Sequence, residues 1–264
     1  MAYNNYDPYG GNWFRRIPPV TRNLIIINLL IWVVEAISGR FGNQLLDLLG
    51  LHFLWGFSGC EFNPIQLVTY MFLHDPRSFW HVGFNMFTLY MFGRILEQTW
   101  GAKRFLIYYF VCGIGAALVQ EGVWALTWRH DFIDVIVRNT GITYDNVARQ
   151  LSQYPEQFET LTQQFRNNMV TMGASGAVFG LLLAFAFLFP DLPLYLFFIP
   201  VPVKAKYMVA GYAVIEFFLG VTGNMGTVAH FAHLGGMLFG LGLLLWWRKR
   251  DGGRRNPFGN FPGR

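Results

Sequence analysis

Apolar stretches close to the length of a bilayer recur along this chain, and that recurrence restricts its folding more than any other feature. A spanning helix takes about 17 to 25 predominantly apolar residues. Backbone in lipid must also satisfy its own hydrogen bonds, which leaves helices as the natural solution. Six segments are read: about Thr21 to Ser38, His81 to Leu96, Phe105 to Gln120, Ala174 to Phe189, Tyr207 to Val221 and Val228 to Trp247. The rest of the composition agrees: 53% of the residues are hydrophobic, 13% are charged and the mean hydropathy is +0.32. A water-soluble core is thereby excluded. The expected fold is an all-α membrane protein, a six-helix transmembrane bundle.

Basic residues test the layout, because cytoplasmic loops are enriched in Lys and Arg. With both termini inside, 14 of the 20 fall on the inner side, and Arg40, Arg77, Arg129, Arg138, Arg149 and Arg166 lie outside. These basic residues sit mostly beside apolar segments as topology signals, so the net charge of +5 does not point to nucleic acid. Residues 1–21 read as a cytoplasmic tail, 22–247 as the membrane domain and 248–264 as a basic cytoplasmic tail. Residues 97–104 read as a cytoplasmic basic turn. Residues 39–80 read as a structured loop half-sunk in the outer leaflet. A polar insert of about 121–171 precedes segment four on the outer face, with two short helices at 143–151 and 155–169. The second of these puts Phe158, Leu161, Phe165 and Met169 on one face, which suggests a helical hairpin with an oily side that could cap the site. Between segments four and five a short apolar loop is expected from Tyr195 to Val203. No disulfide is expected between Cys60 and Cys112, one in a loop and one in a membrane helix.

Segments two, four and six each open with polar residues: His81 and Asn85, then Ser175, then His233. In this topology all four share a depth in the outer half of the membrane. Gly176 with Gly180, and Gly236 with Gly240, are G-x-x-x-G pairs that let helices approach closely. A serine hydroxyl needs a base to become a useful nucleophile, and a neutral histidine is the usual one. Ser175 would attack and His233 would accept its proton. The start of a helix offers free N–H groups for the oxyanion, and His81 and Asn85, one turn apart, can add side-chain donors. No acid lies near His233 in sequence, so a dyad is the economical reading, with a third member left open to a distant residue.

These motifs resemble those of the rhomboid intramembrane serine proteases: Gly173, Ser175 and Gly176 in a G-x-S-G pattern, Ala232, His233 and Gly236 in A-H-x-x-G, and His81 and Asn85 in H-x-x-x-N. The likeness covers roughly Asn63 to Gln120 and Val170 to Trp247. It implies that Ser175 and His233 form the catalytic dyad and that His81 and Asn85 line the oxyanion site, with no cofactor. It also implies a substrate that is another protein's transmembrane helix, cut near its outer end. Two positions depart from the family pattern. Ile65-Gln66 stands where many members carry Trp-Arg, and Phe179 stands where a tyrosine often stacks on the catalytic histidine.

His230, one turn from His233, reads as a packing residue, a donor to the site or a metal ligand. His52, His74 and His130 read as solvated or interfacial. Glu216, inside segment five, is a costly charge in lipid that either faces the bundle or is protonated. Glu35 could snorkel or pair with loop groups. Two other functions fit part of the pattern. A metal site or transporter could use His81, His230, His233 and a carboxylate, but it leaves Ser175 and Asn85 without work. A non-catalytic relative could bind and escort transmembrane helices, but it would not need both Ser175 and His233. The expected location is a bacterial plasma membrane.

Overall fold

A computed structural model describes residues 17–56, 61–196, 199–222 and 230–251. Most of residues 1–21, Cys60 and the chain beyond Asp251 therefore lie outside the described residues. Helix α1 (Pro19–Ile37) opens with proline at its first position, where the missing N–H costs nothing. The next amides are capped from a distance. Glu97 accepts from Val20 N at 3.0 Å and, through its other oxygen, from Thr21 N and Thr21 Oγ1 at 2.7 Å each.

The half-sunk loop comprises α2 (Arg40–Leu49), β1 (Leu51–His52), α3 (Gln66–Thr69) and a 3-10 turn (Tyr70–Phe72). Strand β1 pairs with β2 (Val170–Thr171), Leu51 opposite Thr171 and His52 opposite Val170, directly before the serine segment. Folding back in this way buries His52 and His74, which correct the solvated reading of both. His130 alone of the three is exposed. Gln66, the departure from the family's Trp-Arg pattern, is also buried and makes a neutral network. Its Oε1 accepts from His52 N and Asn63 N at 3.3 and 3.2 Å, while Nε2 donates to the Leu48 carbonyl at 3.3 Å.

Segment two is longer than its apolar run: α4 (Phe79–Thr88), a π-helical stretch (Leu89–Gly93) and α5 (Arg94–Trp100) follow without a break. The expected basic turn shrinks to Gly101, whose φ of 81° lets the chain reverse at one residue. Helix α6 (Ala102–Thr140) then runs for 39 residues and stops at Gly141, in the left-handed region. Its second half occupies the first twenty residues read as insert. Leu126, Trp128 and Phe132 lie on this continuation, and no proline stands between Gln120 and Gly141 to break it.

Helices α7 (Tyr144–Gln153) and α8 (Pro155–Asn167) follow. Val147 and Leu151 bury against Phe132 and Ile133 of α6, with Phe158 and Phe165 packed on the same cluster. Much of the oily side of α8 is thus spent on α6 rather than left for the site.

Helices α9 (Ser175–Leu188), α10 (Ala205–Thr222) and α11 (His230–Asp251) complete the chain. Between α9 and α10 the expected loop is a hairpin of β3 (Pro193–Leu196) and β4 (Ile199–Lys204), antiparallel with Pro193 opposite Lys204. Four described helices, α1, α6, α10 and α11, are long and apolar enough to cross a membrane, and α9 is a shorter apolar helix. The core lies where α6, α9 and α11 meet. Tyr108, Cys112 and Leu181 are fully buried there, and Tyr108 donates its hydroxyl proton to the Gly180 carbonyl at 2.9 Å.

Candidate active site

Glycine makes the site possible by letting α9 and α11 touch backbone to backbone. A methyl group on Gly236 would overlap the carbonyl of Gly176, and one on Gly176 would overlap Ala116 of α6. At Gly180 it would meet Cys112, and at Gly240 Tyr108. The four glycines of the paired G-x-x-x-G motifs therefore all sit at close crossings.

That approach brings together the two residues read as nucleophile and base. Ser175 Oγ lies 2.8 Å from His233 Nε2, although 58 residues separate them in sequence. Ser175 is half-buried and His233 is buried. Phe179, one turn beyond the serine, lies flat on the imidazole with centroids 4.3 Å apart and planes 4° apart. The aromatic face expected at this position is present without the hydroxyl.

The segment before Ser175 is held from both sides. Gly173 N donates to the Tyr70 carbonyl at 2.9 Å, and Gly173 has a φ of 127°, a conformation that favours glycine. A side chain there would also meet His81: an added Cβ would stand 2.9 Å from Nε2 of His81 and 3.8 Å from Ser175 Oγ. Ser78 caps α4 by accepting from His81 N at 3.3 Å. The backbone N–H of Asp75 donates to His81 Nδ1 at 3.3 Å, which puts the ring proton on Nε2, the atom that faces Gly173 and the serine. Asn85 is buried one turn further, its amide donating to the His81 carbonyl at 2.9 Å. The first turn of α9 leaves the amides of Ser175, Gly176 and Ala177 without intrahelical acceptors.

Sequence reasoning missed the partner of His233. Glu216 of α10 places Oε2 3.0 Å from His233 Nδ1 and 2.7 Å from His230 Nδ1. The signal was present as an ionisable residue inside an apolar helix. What the sequence lacked was the rotation of α10 that turns Glu216 toward α11. Glu35 resolves in a similar way: it is buried and accepts the His74 backbone N–H at 3.1 Å.

A mitochondrial rhomboid protein of Saccharomyces cerevisiae, Rhomboid protein 1, is 29% identical over 192 residues, which cover 70% of this chain and 42% of that protein. The chain thus spans less than half the length of that curated relative. The relative is mitochondrial by name, so the bacterial plasma membrane read from the sequence gains no support from it. The family model for the Rhomboid domain matches residues 61–127 and 151–250. The unmatched 128–150 are the far end of α6 and the first part of α7. With more than half of its 264 residues matched, and with apolar helices long enough to pass through a bilayer several times, this multi-pass membrane protein belongs to the rhomboid family.

Proposed function

We propose that the chain is an intramembrane serine endopeptidase that cuts the transmembrane helices of other proteins near their outer ends. The observation that carries this reading is the 2.8 Å contact of Ser175 Oγ with His233 Nε2. At that distance the hydroxyl proton can pass to the imidazole as oxygen attacks the scissile carbonyl. The carbonyl oxygen then gains the electron pair and faces N–H donors: the first-turn amides of α9 and the Nε2–H of His81. Asn85 supports this side, since its amide has a second proton beyond the one given to the His81 carbonyl. Collapse of the intermediate breaks the C–N bond, and His233 returns the proton to the leaving amine. Water then hydrolyses the acyl-serine by the same route.

No metal or other cofactor takes part in this sequence. Gly173, Gly176 and Gly236 support it through the close approaches they allow, and Phe179 holds the imidazole plane.

The proposed topology has six spans within residues 22–247, with segment two made of α4, the π-helical stretch and α5. Both tails, 1–21 and 248–264, face the cytoplasm. The site then opens toward the outer side, where water can reach it. A substrate helix must unwind to present a bond to Ser175, so small or helix-weakening residues near the cut are expected.

The test is cleavage of a single-span protein in liposomes by the wild-type chain, Ser175→Ala and His233→Ala. Cleavage by the wild type alone, with both variants folded, supports the reading. Undiminished cleavage by either variant sinks the dyad, and helix binding without cleavage by all three favours the escort function.

A further inference from the structure

The outer ends of α10 and α11 hold a second polar cluster against the Ser175–His233 pair. His230 and His233 are three residues apart and present their Nδ1 atoms to one oxygen of Glu216. All three side chains are largely withdrawn from solvent, with 7% of His230, 11% of His233 and 14% of Glu216 exposed. A carboxylate in a membrane helix is costly unless paired, and here its neighbours are two imidazoles. The two contacts differ. His230 makes an aligned hydrogen bond at 2.7 Å, whereas His233 Nδ1, at 3.0 Å, is close without pointing its N–H along the bond. Among the described residues, the other nitrogen of His230 has no partner. His230 therefore has one polar task, which is to hold Glu216.

We propose that Glu216 is a positioning residue for His233, and that His230 anchors Glu216 in turn. This rests on the protease reading above. With its proton on Nδ1, the nitrogen beside the carboxylate, His233 is left with Nε2 as the acceptor facing Ser175. As the serine oxygen bonds to the carbonyl carbon, its proton moves to Nε2 and the imidazole becomes a cation. Glu216 stabilises that cation by proximity and does not itself take a proton. The slightly misaligned contact tightens when the charge forms, as catalytic hydrogen bonds do on passing from the resting enzyme to the transition state.

The same three side chains bring their ligand atoms within 4.8 Å of one another, which raises a metal ion as the competing occupant. Zinc bonds of about 2.0 to 2.1 Å at tetrahedral angles separate neighbouring ligand atoms by about 3.3 Å. The observed 2.7 and 3.0 Å are too short for that and fit shared protons. Among the described residues, His81 of α4 is a further ionisable group near the base; Ser175 and Phe179 face it from α9.

The experiment compares Glu216→Gln, Glu216→Asp and His230→Ala with the wild type in liposomes. Cleavage is followed by steady-state kinetics, and Ser175 is labelled with a serine-reactive phosphonate. Glu216→Gln should lower kcat about a hundredfold or more, with KM within about threefold. Glu216→Asp, which keeps a carboxylate at this position, should hold kcat within about tenfold of the wild type. His230→Ala should lower kcat in the same way as Glu216→Gln, with a smaller loss. Wild-type kcat in Glu216→Gln, or equal losses of kcat in the Gln and Asp variants, overturns the proposal. So does activity that a chelator abolishes and zinc restores. A wild type that neither cuts nor labels at Ser175 overturns the protease reading itself, and this proposal with it.

Discussion

Phe179 and His233 are parallel rings 4.3 Å apart, and they come from different helices, so the plane of the imidazole is set by the residue one turn after Ser175. Tyrosine would preserve that face. Phe179→Tyr is expected to retain cleavage within about threefold. Phe179→Ala, which removes a ring contact of about 0.5 to 1.5 kcal/mol, should lower kcat about tenfold. Steady-state kinetics on a single-span substrate checks both.

Gly236 and Gly242 lie on the same helix and should behave oppositely. Gly236→Ala would force α11 away from the Gly176 carbonyl; loss of cleavage and a lower thermal midpoint are expected. An added Cβ at Gly242 meets nothing within 4 Å. Gly242→Ala should therefore be neutral or gain about 0.5 to 1 kcal/mol from helix propensity. Thermal unfolding in detergent separates the two.

Glu97 caps α1 from 76 residues away. Glu97→Ala leaves the half-buried N–H of Val20 and the buried N–H and hydroxyl of Thr21 without their acceptor, a loss of about 1 to 3 kcal/mol. Glu97→Gln should lose less, because it keeps one acceptor oxygen. The Ser175–His233 contact is at the other end of the bundle, so phosphonate labelling of the folded fraction should be unchanged in both variants.

His74, in the loop before α4, is fully buried. Burial, aided by the neighbouring His81, holds its pKa down to about 3, against about 6.5 in an unfolded chain. The unfolded state therefore binds the proton more readily. Stability contributed by neutral His74 is present above pH 6.5 and is lost as the pH falls from there toward 3. Between pH 7.5 and 5 this one group should lower the folded-to-unfolded ratio about thirtyfold. Denaturant unfolding of His74→Phe beside the wild type measures it; equal pH slopes for the two would refute the assignment.

The long apolar helices and the meeting of Ser175 with His233 were legible because each rests on a local pattern. An apolar run announces α1, α9 or α10 whatever surrounds it, and small residues around Ser175 and His233 announce a close crossing. Long-range partnerships were not legible. Glu216 was visible as an awkward charge, but its meeting with His233 depends on how α10 is rotated, and no residue of α10 alone encodes that. Gln66 stood out only as a departure from the family's Trp-Arg pattern, and the folded loop alone reveals the partners of its amide. The end of α6 was misread for a different reason: Glu121, Arg129, His130 and Asp131 make the stretch polar, and polarity was taken as a break where the helix runs on to Thr140.

That last feature has a geometric effect beyond folding. A helix of 39 residues is about 58 Å long, while the hydrocarbon layer is about 30 Å thick. In the proposed topology the first half of α6 lies in the bilayer and the second half stands beyond it as a stiff post, braced by α7 and α8 through Phe132 and Ile133. One continuous element therefore meets Gly180 of α9 through Tyr108 near its start and, near its end, holds the polar segment that leads into Ser175.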